Sequence, residues 1–94
     1  MRIDQSLPGS ELVEKGLADL AANQVTEASL LLQISGPRLR RLGIEIPDAQ
    51  PSRPYEHQLY ELLEDRVGHD AHSQYNSLIR RIVSFASALE REQR

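Results

Sequence analysis

The sequence predicts an all-α protein: a small orthogonal bundle of four to five helices, the last helix longest, with no sheet. Three observations carry this. Apolar residues recur at helical spacing through most of the chain, most clearly at Tyr75, Leu78, Ile79, Ile82, Phe85, Ala86 and Leu89, as a helix with one buried face requires. Helix punctuation falls between the periodic stretches, at Asn23-Gln24, Ser35-Gly36-Pro37, Gly43 and Gly68. The alternating stretch Ile44-Glu45-Ile46 is too brief to carry a sheet.

The elements follow in order. A first helix is expected to open near Pro8 to Ser10, where a proline or a hydroxyl can start it. Val13, Leu17, Leu20 and Ala21 form its apolar side, with Glu11, Glu14 and Asp19 elsewhere. Gly16 costs about 1 kcal/mol relative to Ala inside a helix unless another backbone packs closely there. After the break at Asn23-Gln24, Thr26 is a good N-cap for a second helix reaching about Gln33. Arg38 to Leu42 make a short third helix, closed by Gly43 as a left-handed residue. Prolines at 47, 51 and 54 mark a loop. A fourth helix runs from Pro54 to Val67 with Tyr55, Leu59, Leu62, Leu63 and Val67 on one stripe, and Gly68 stops it. Asp70 is the expected N-cap of the long final helix, worth about 1 kcal/mol if it bonds the first turn.

At 94 residues the chain has the length of a single domain. We therefore expect a single helical domain over residues 1–94, its halves 1–46 and 54–94 joined by the Pro-rich loop 47–53. Without cysteine, disulfide scaffolds, thiolate zinc sites and thiol catalysis are excluded. The run Leu30-Leu31-Leu32 falls far short of the roughly 20 apolar residues that span a bilayer. Met1 to Asp4 carry charge on both sides of Ile3, unlike a secretory signal. A soluble, cytoplasmic protein is the expectation. The net charge of −3 hides blocks of alternating sign. Residues 1–34 sum to −3, 35–53 to +2, 54–72 to −4 and 73–94 to +2. Ten Arg and one Lys supply the positive charge, and Arg pairs with carboxylate or phosphate in a bidentate fork where Lys does not.

Within residues 25–43, Ala28, Leu32, Ile34, Leu39 and Leu42 occupy the buried offsets of two short crossing helices, with Ser29 where their backbones would approach. This stretch resembles a helix-turn-helix DNA-binding motif. The resemblance implies that Arg38, Arg40 and Arg41 project from the second helix toward phosphates or guanine edges. Gln33 stands at the turn position that such motifs usually give to glycine. The competing expectation is an ordinary helix pair whose arginines salt-bridge to acidic residues of the fourth helix, or to an acidic partner.

Other clusters point to no chemistry. His69, Asp70 and His72 lie at a helix start, where Asp70 serves as a cap and the imidazoles are solvated; zinc needs convergent ligands. His57 sits among polar residues, and Glu61 and Glu64 form a solvated charge run rather than an acid–base pair. Ser73, Ser77, Ser84 and Ala88 share the side of the final helix opposite its apolar stripe, a surface suited to close approach by another helix, as in a homodimer. No catalytic, cofactor or metal motif is present. The function expected is a small helical protein–protein interaction module or regulatory subunit, without catalysis, cofactor or small-molecule substrate. A DNA-binding regulator using residues 25–43 is the alternative.

Overall fold

The computed structural model describes residues 3–47 and 51–93. Asp48, Ala49 and Gln50 of the expected loop lie outside the described residues, as do Met1, Arg2 and Arg94. Five α-helices make up the described chain: α1 (Ser10–Ala21), α2 (Glu27–Ile34), α3 (Gly36–Arg41), α4 (Tyr55–Val67) and α5 (Ala71–Glu92). A single 3-10 turn, Gly68–Asp70, joins α4 to α5. The fold is a small all-α bundle, its last helix longest, with no strand among the described residues.

Helix ends follow local chemistry. Asn23, at φ 57, ends α1. Its N–H bonds Leu20 O at 3.1 Å and the Gln24 N–H bonds Asp19 O at 2.8 Å, the paired bonds of a Schellman cap. Gly43, at φ 94, ends α3 in the same way, with Ile44 N–H on Leu39 O at 3.0 Å. Thr26 caps α2 reciprocally: its Oγ1 accepts from Ser29 N–H at 3.1 Å, while Ser29 Oγ accepts from Thr26 N–H at 2.8 Å. Ser29 is thus a capping residue, and it is buried.

The start of α1 falls within the expected Pro8 to Ser10, and two other expected ends are corrected. The cap of α1 is Gly9, at φ 78, with no side-chain capping bond. A Cβ there would lie 3.1 Å from Arg81 O, because the N-terminal segment crosses α5 and buries Ile3 and Leu7 in the core. The turn before α3 shrinks to one residue, Ser35, so α3 opens at Gly36 rather than Arg38. Asp70 occupies the N-cap position of α5 but makes no capping bond, since the 3-10 turn holds its backbone at φ −82, ψ 0 rather than the extended conformation a capping side chain needs.

The core draws on both sides of the proline-rich loop: Val13, Leu31, Leu32, Leu39 and Ile44 pack with Leu59, Leu63, Ile82 and Phe85. Helix α2 is its hub. Ala28, Ser29, Leu30, Leu31 and Leu32 are buried in succession, which happens only when a helix is covered on all sides. Against α1 the approach is closest. A Cβ on Gly16 would meet Leu32 Cδ1 at 2.7 Å and Ala28 O at 2.8 Å, so glycine lets the two backbones touch. Ala21, expected on the apolar side of α1, is exposed, and Asp19 is buried instead. Its Oδ2 accepts from the Thr26 hydroxyl at 2.7 Å and from Lys15 Nζ at 3.0 Å. Those two donors, Thr26 foremost, hold the Asp19 carboxyl below its ordinary range.

Helix α4 packs on the other side of α2 and turns back onto α5, with the Tyr60 and Tyr75 rings 5.8 Å apart. The turn begins at Gly68, at φ 62 and ψ −125, where a Cβ would find open space.

Candidate functional site

The three arginines of the helix-turn-helix-like stretch do not form one positive face. Arg38 reaches across to α5, donating to Glu90 Oε2 at 3.1 Å and Ser87 Oγ at 3.2 Å. Its pairing is therefore with α5, not with the acidic α4. Arg40 turns back on its own loop and donates from Nε to Ile46 O at 2.9 Å. Arg41 is exposed at the end of α3. The end of α5 also reaches this corner, where Gln93 Nε2 donates to Leu42 O at 2.6 Å. Helix α3 has only six residues, under two turns at 3.6 residues each, and one residue separates it from α2 where such motifs use three or four.

On α5, Ser73, Ser77 and Ser84 are exposed, but Ala88 is 8% exposed and belongs to the core. Ala88 follows the core residue Phe85 by one turn, and Gly9 sits against Phe85 Cβ. His57, His69 and His72 are exposed, and no group of three metal-ligating side chains occurs among the described residues. Of the acidic residues of α4, Glu61 pairs with Arg53. Arg66, also on α4, makes a two-pronged pair with Glu27 of α2, and Glu64 is exposed.

The feature the periodicity did not single out is Val25. It precedes the Thr26 cap, in the position from which a residue packs toward the fourth residue of the helix, here Leu30. Leu30 is 3% exposed, yet Val25 remains 66% exposed. The Schellman turn of α1 aims the chain outward at Asn23 and Gln24, and the cap turns it back at Thr26, which leaves Val25 at the apex. Three adjoining recesses share Val25 as a wall. One, of about 580 Å³, runs between Lys15, Ala28, Leu62 and Asp65. A second, of about 270 Å³, is floored by Leu20, Leu30 and Tyr55 and edged by Asn23, Gln33 and Gln58. A shallower one, of about 140 Å³, lies between Leu30, Glu61, Leu62 and Asp65. Together they form an open apolar groove along the seam between α2 and α4.

Charge around this groove is mostly satisfied within the chain. Glu27 holds Arg66, Glu61 holds Arg53, and Lys15 is on Asp19. Asp65 lines two of the recesses and has no hydrogen-bond or ion-pair partner among the described residues. The groove thus combines aliphatic surface with one free carboxylate, suited to an aliphatic side chain beside a cation. A second large apolar side chain, Val83 on α5, is 46% exposed. Both valines are apolar residues off the helical stripes, which was the available signal in the sequence.

No family model, no characterised protein and no solved structure matches this chain. No described helix is long and apolar enough to cross a membrane.

Proposed function

We propose that this chain is a small helical protein-interaction module, a regulatory or assembly subunit of the cytoplasm without catalysis of its own, that docks a protein partner in the groove centred on Val25. The observation that carries this reading is the position of Val25, 66% exposed where three recesses meet. An exposed aliphatic apex in an apolar seam is a surface that gains by being covered. The DNA-binding alternative has less support, because Arg38 and Arg40 spend their donors inside the chain.

The test is a photo-reactive amino acid at position 25, with the same group at the exposed position 69 as control. Irradiation in the native cell is expected to give a discrete protein adduct from position 25 that wild-type chain competes away and Val25→Asp chain does not. The same adducts from both positions, or none from position 25, would overturn the reading.

A further inference from the structure

We infer that the occupant of the Val25 groove is helix α5 of a second copy of this chain, seated through Val83 and Arg80, so that copies join head to tail. The inference rests on the groove being a docking site and names its partner. Val83 lines none of the recesses around Val25, so the two exposed valines belong to separate surfaces, each available to the other in a second molecule.

Charge makes the two surfaces complementary. Arg80 stands three residues before Val83, a spacing that places the two side chains side by side on a helix. Its guanidinium donates only to Asn76 O of its own helix, at 3.4 Å, and has no carboxylate partner among the described residues. The groove supplies the counterpart: Asp65, also without a partner, beside the aliphatic surface of Val25 and Leu62. The cations that line the same recesses, Lys15, Arg53 and Arg66, are each held by a carboxylate of their own chain, so Asp65 is the charge left over. Helix α4 carries Glu56, Glu61, Glu64 and Asp65 against Arg66, whereas α5 between residues 73 and 89 carries Arg80 and Arg81 and no carboxylate. Arg81 is held by Glu11, which leaves Arg80 for the partner. Ser84, exposed next to Val83, adds little bulk, so the α5 backbone can come close to the groove wall.

Two different patches that fit one another make a heterologous contact, and such a contact adds copies in sequence rather than closing a two-fold dimer. Sedimentation velocity of the 94-residue wild-type chain is therefore expected to show species growing past dimer as concentration rises from about micromolar to about millimolar. Val25→Asp and Val83→Asp are each expected to sediment as monomers. An equimolar mixture of the two should form a one-to-one dimer and nothing larger, because each variant retains the face the other has lost. Arg80→Glu should weaken association by about tenfold or more through repulsion with Asp65, and Asp65→Arg combined with Arg80→Glu in one chain should restore it. Far-ultraviolet circular dichroism checks the fold of each variant. Val25→Ser and Val83→Ser replace any aspartate variant that loses helicity.

A wild-type chain that stays monomeric, a mixture that stays monomeric, or a dimer indifferent to Val83→Asp would each overturn the inference. If the wild type is monomeric while position 25 still photo-crosslinks to a different protein, the second copy is refuted and the docking reading stands. If neither occurs, both fall.

Discussion

The two flanks of α2 are built in opposite ways. Toward α1, Gly16 removes the one side chain that would hold the helices apart, and the Ala28 carbonyl and Leu32 fill the space where its Cβ would stand. The end of that contact is stitched by Asp19, which accepts from both Lys15 and the Thr26 cap. Toward α4, the seam closes over Leu59 and Leu63 but opens at Val25, Leu62 and Asp65. One flank spends its residues on backbone contact and polar satisfaction; the other leaves aliphatic surface and a carboxylate uncovered. A helix of eight residues therefore separates a face made for stability from a face available for binding, and substitutions should affect one without the other.

The largest effect should come from Gly16→Ala. Helix propensity alone favours the change by about 1 kcal/mol, but the new methyl would lie 2.8 Å from a backbone carbonyl that cannot rotate away. A net loss of about 1–3 kcal/mol in urea unfolding is expected; a gain would mean that the closed flank is not closed. Thr26→Ala comes next, at about 1 kcal/mol for the lost cap, with Thr26→Ser close to wild type. Asp19 adds a pH signature. Its folded-state carboxyl lies below the ordinary range, so its contribution is present above the unfolded value of about 3.9 and is lost as pH falls through the lower folded one. The stability difference between wild type and Asp19→Asn should therefore shrink in acid below that point, and a difference constant with pH would count against the Asp19 anchor. The smallest effect on stability belongs to Val25→Asp, within about 0.5 kcal/mol, although this variant should lose association. A large destabilisation by Val25→Asp would merge the two flanks into one structural core.

What could be read from the sequence was whatever depended on neighbours a few residues away. The breaks at Asn23-Gln24, Gly43 and Gly68 and the Thr26 cap are such features, because caps form from side chains and carbonyls within a turn of each other. The α5 stripe was legible for the same reason. What failed depended on distant contacts. The cap position of α1 is held by glycine because its φ of 78 and the Arg81 carbonyl of α5 beside it leave little room for a side chain. Ala88 belongs to the core and not to the serine face, and Asp19 turns inward where the Thr26 hydroxyl meets it from beyond the end of α1. Arg38 pairs with Glu90 of α5 and not with α4, and nothing local distinguishes Glu90 from the carboxylates of α4. Of the apolar offsets that resembled a helix-turn-helix, Ala28, Leu32 and Leu39 are buried and Ile34 and Leu42 partly so; the single residue between α2 and α3 is what the spacing did not show. Val25 and Val83 carry no periodic signal, because they stand beside the apolar stripes and not on them.

The turn that reverses the chain between α4 and α5 has a consequence for handedness. With φ 62 and ψ −125, Gly68 occupies a conformation whose mirror image is ordinary extended backbone. An L side chain is strained there, whereas a mirror-image residue is at ease. The place an L side chain's Cβ would take is open space, so the cost to an L residue there is backbone strain and not a clash. A chemically synthesised chain with D-alanine at position 68 should keep the native turn while its unfolded state loses freedom, and so gain about 0.4–1 kcal/mol. L-alanine, with the same atoms and the opposite chirality, should cost stability at the same site.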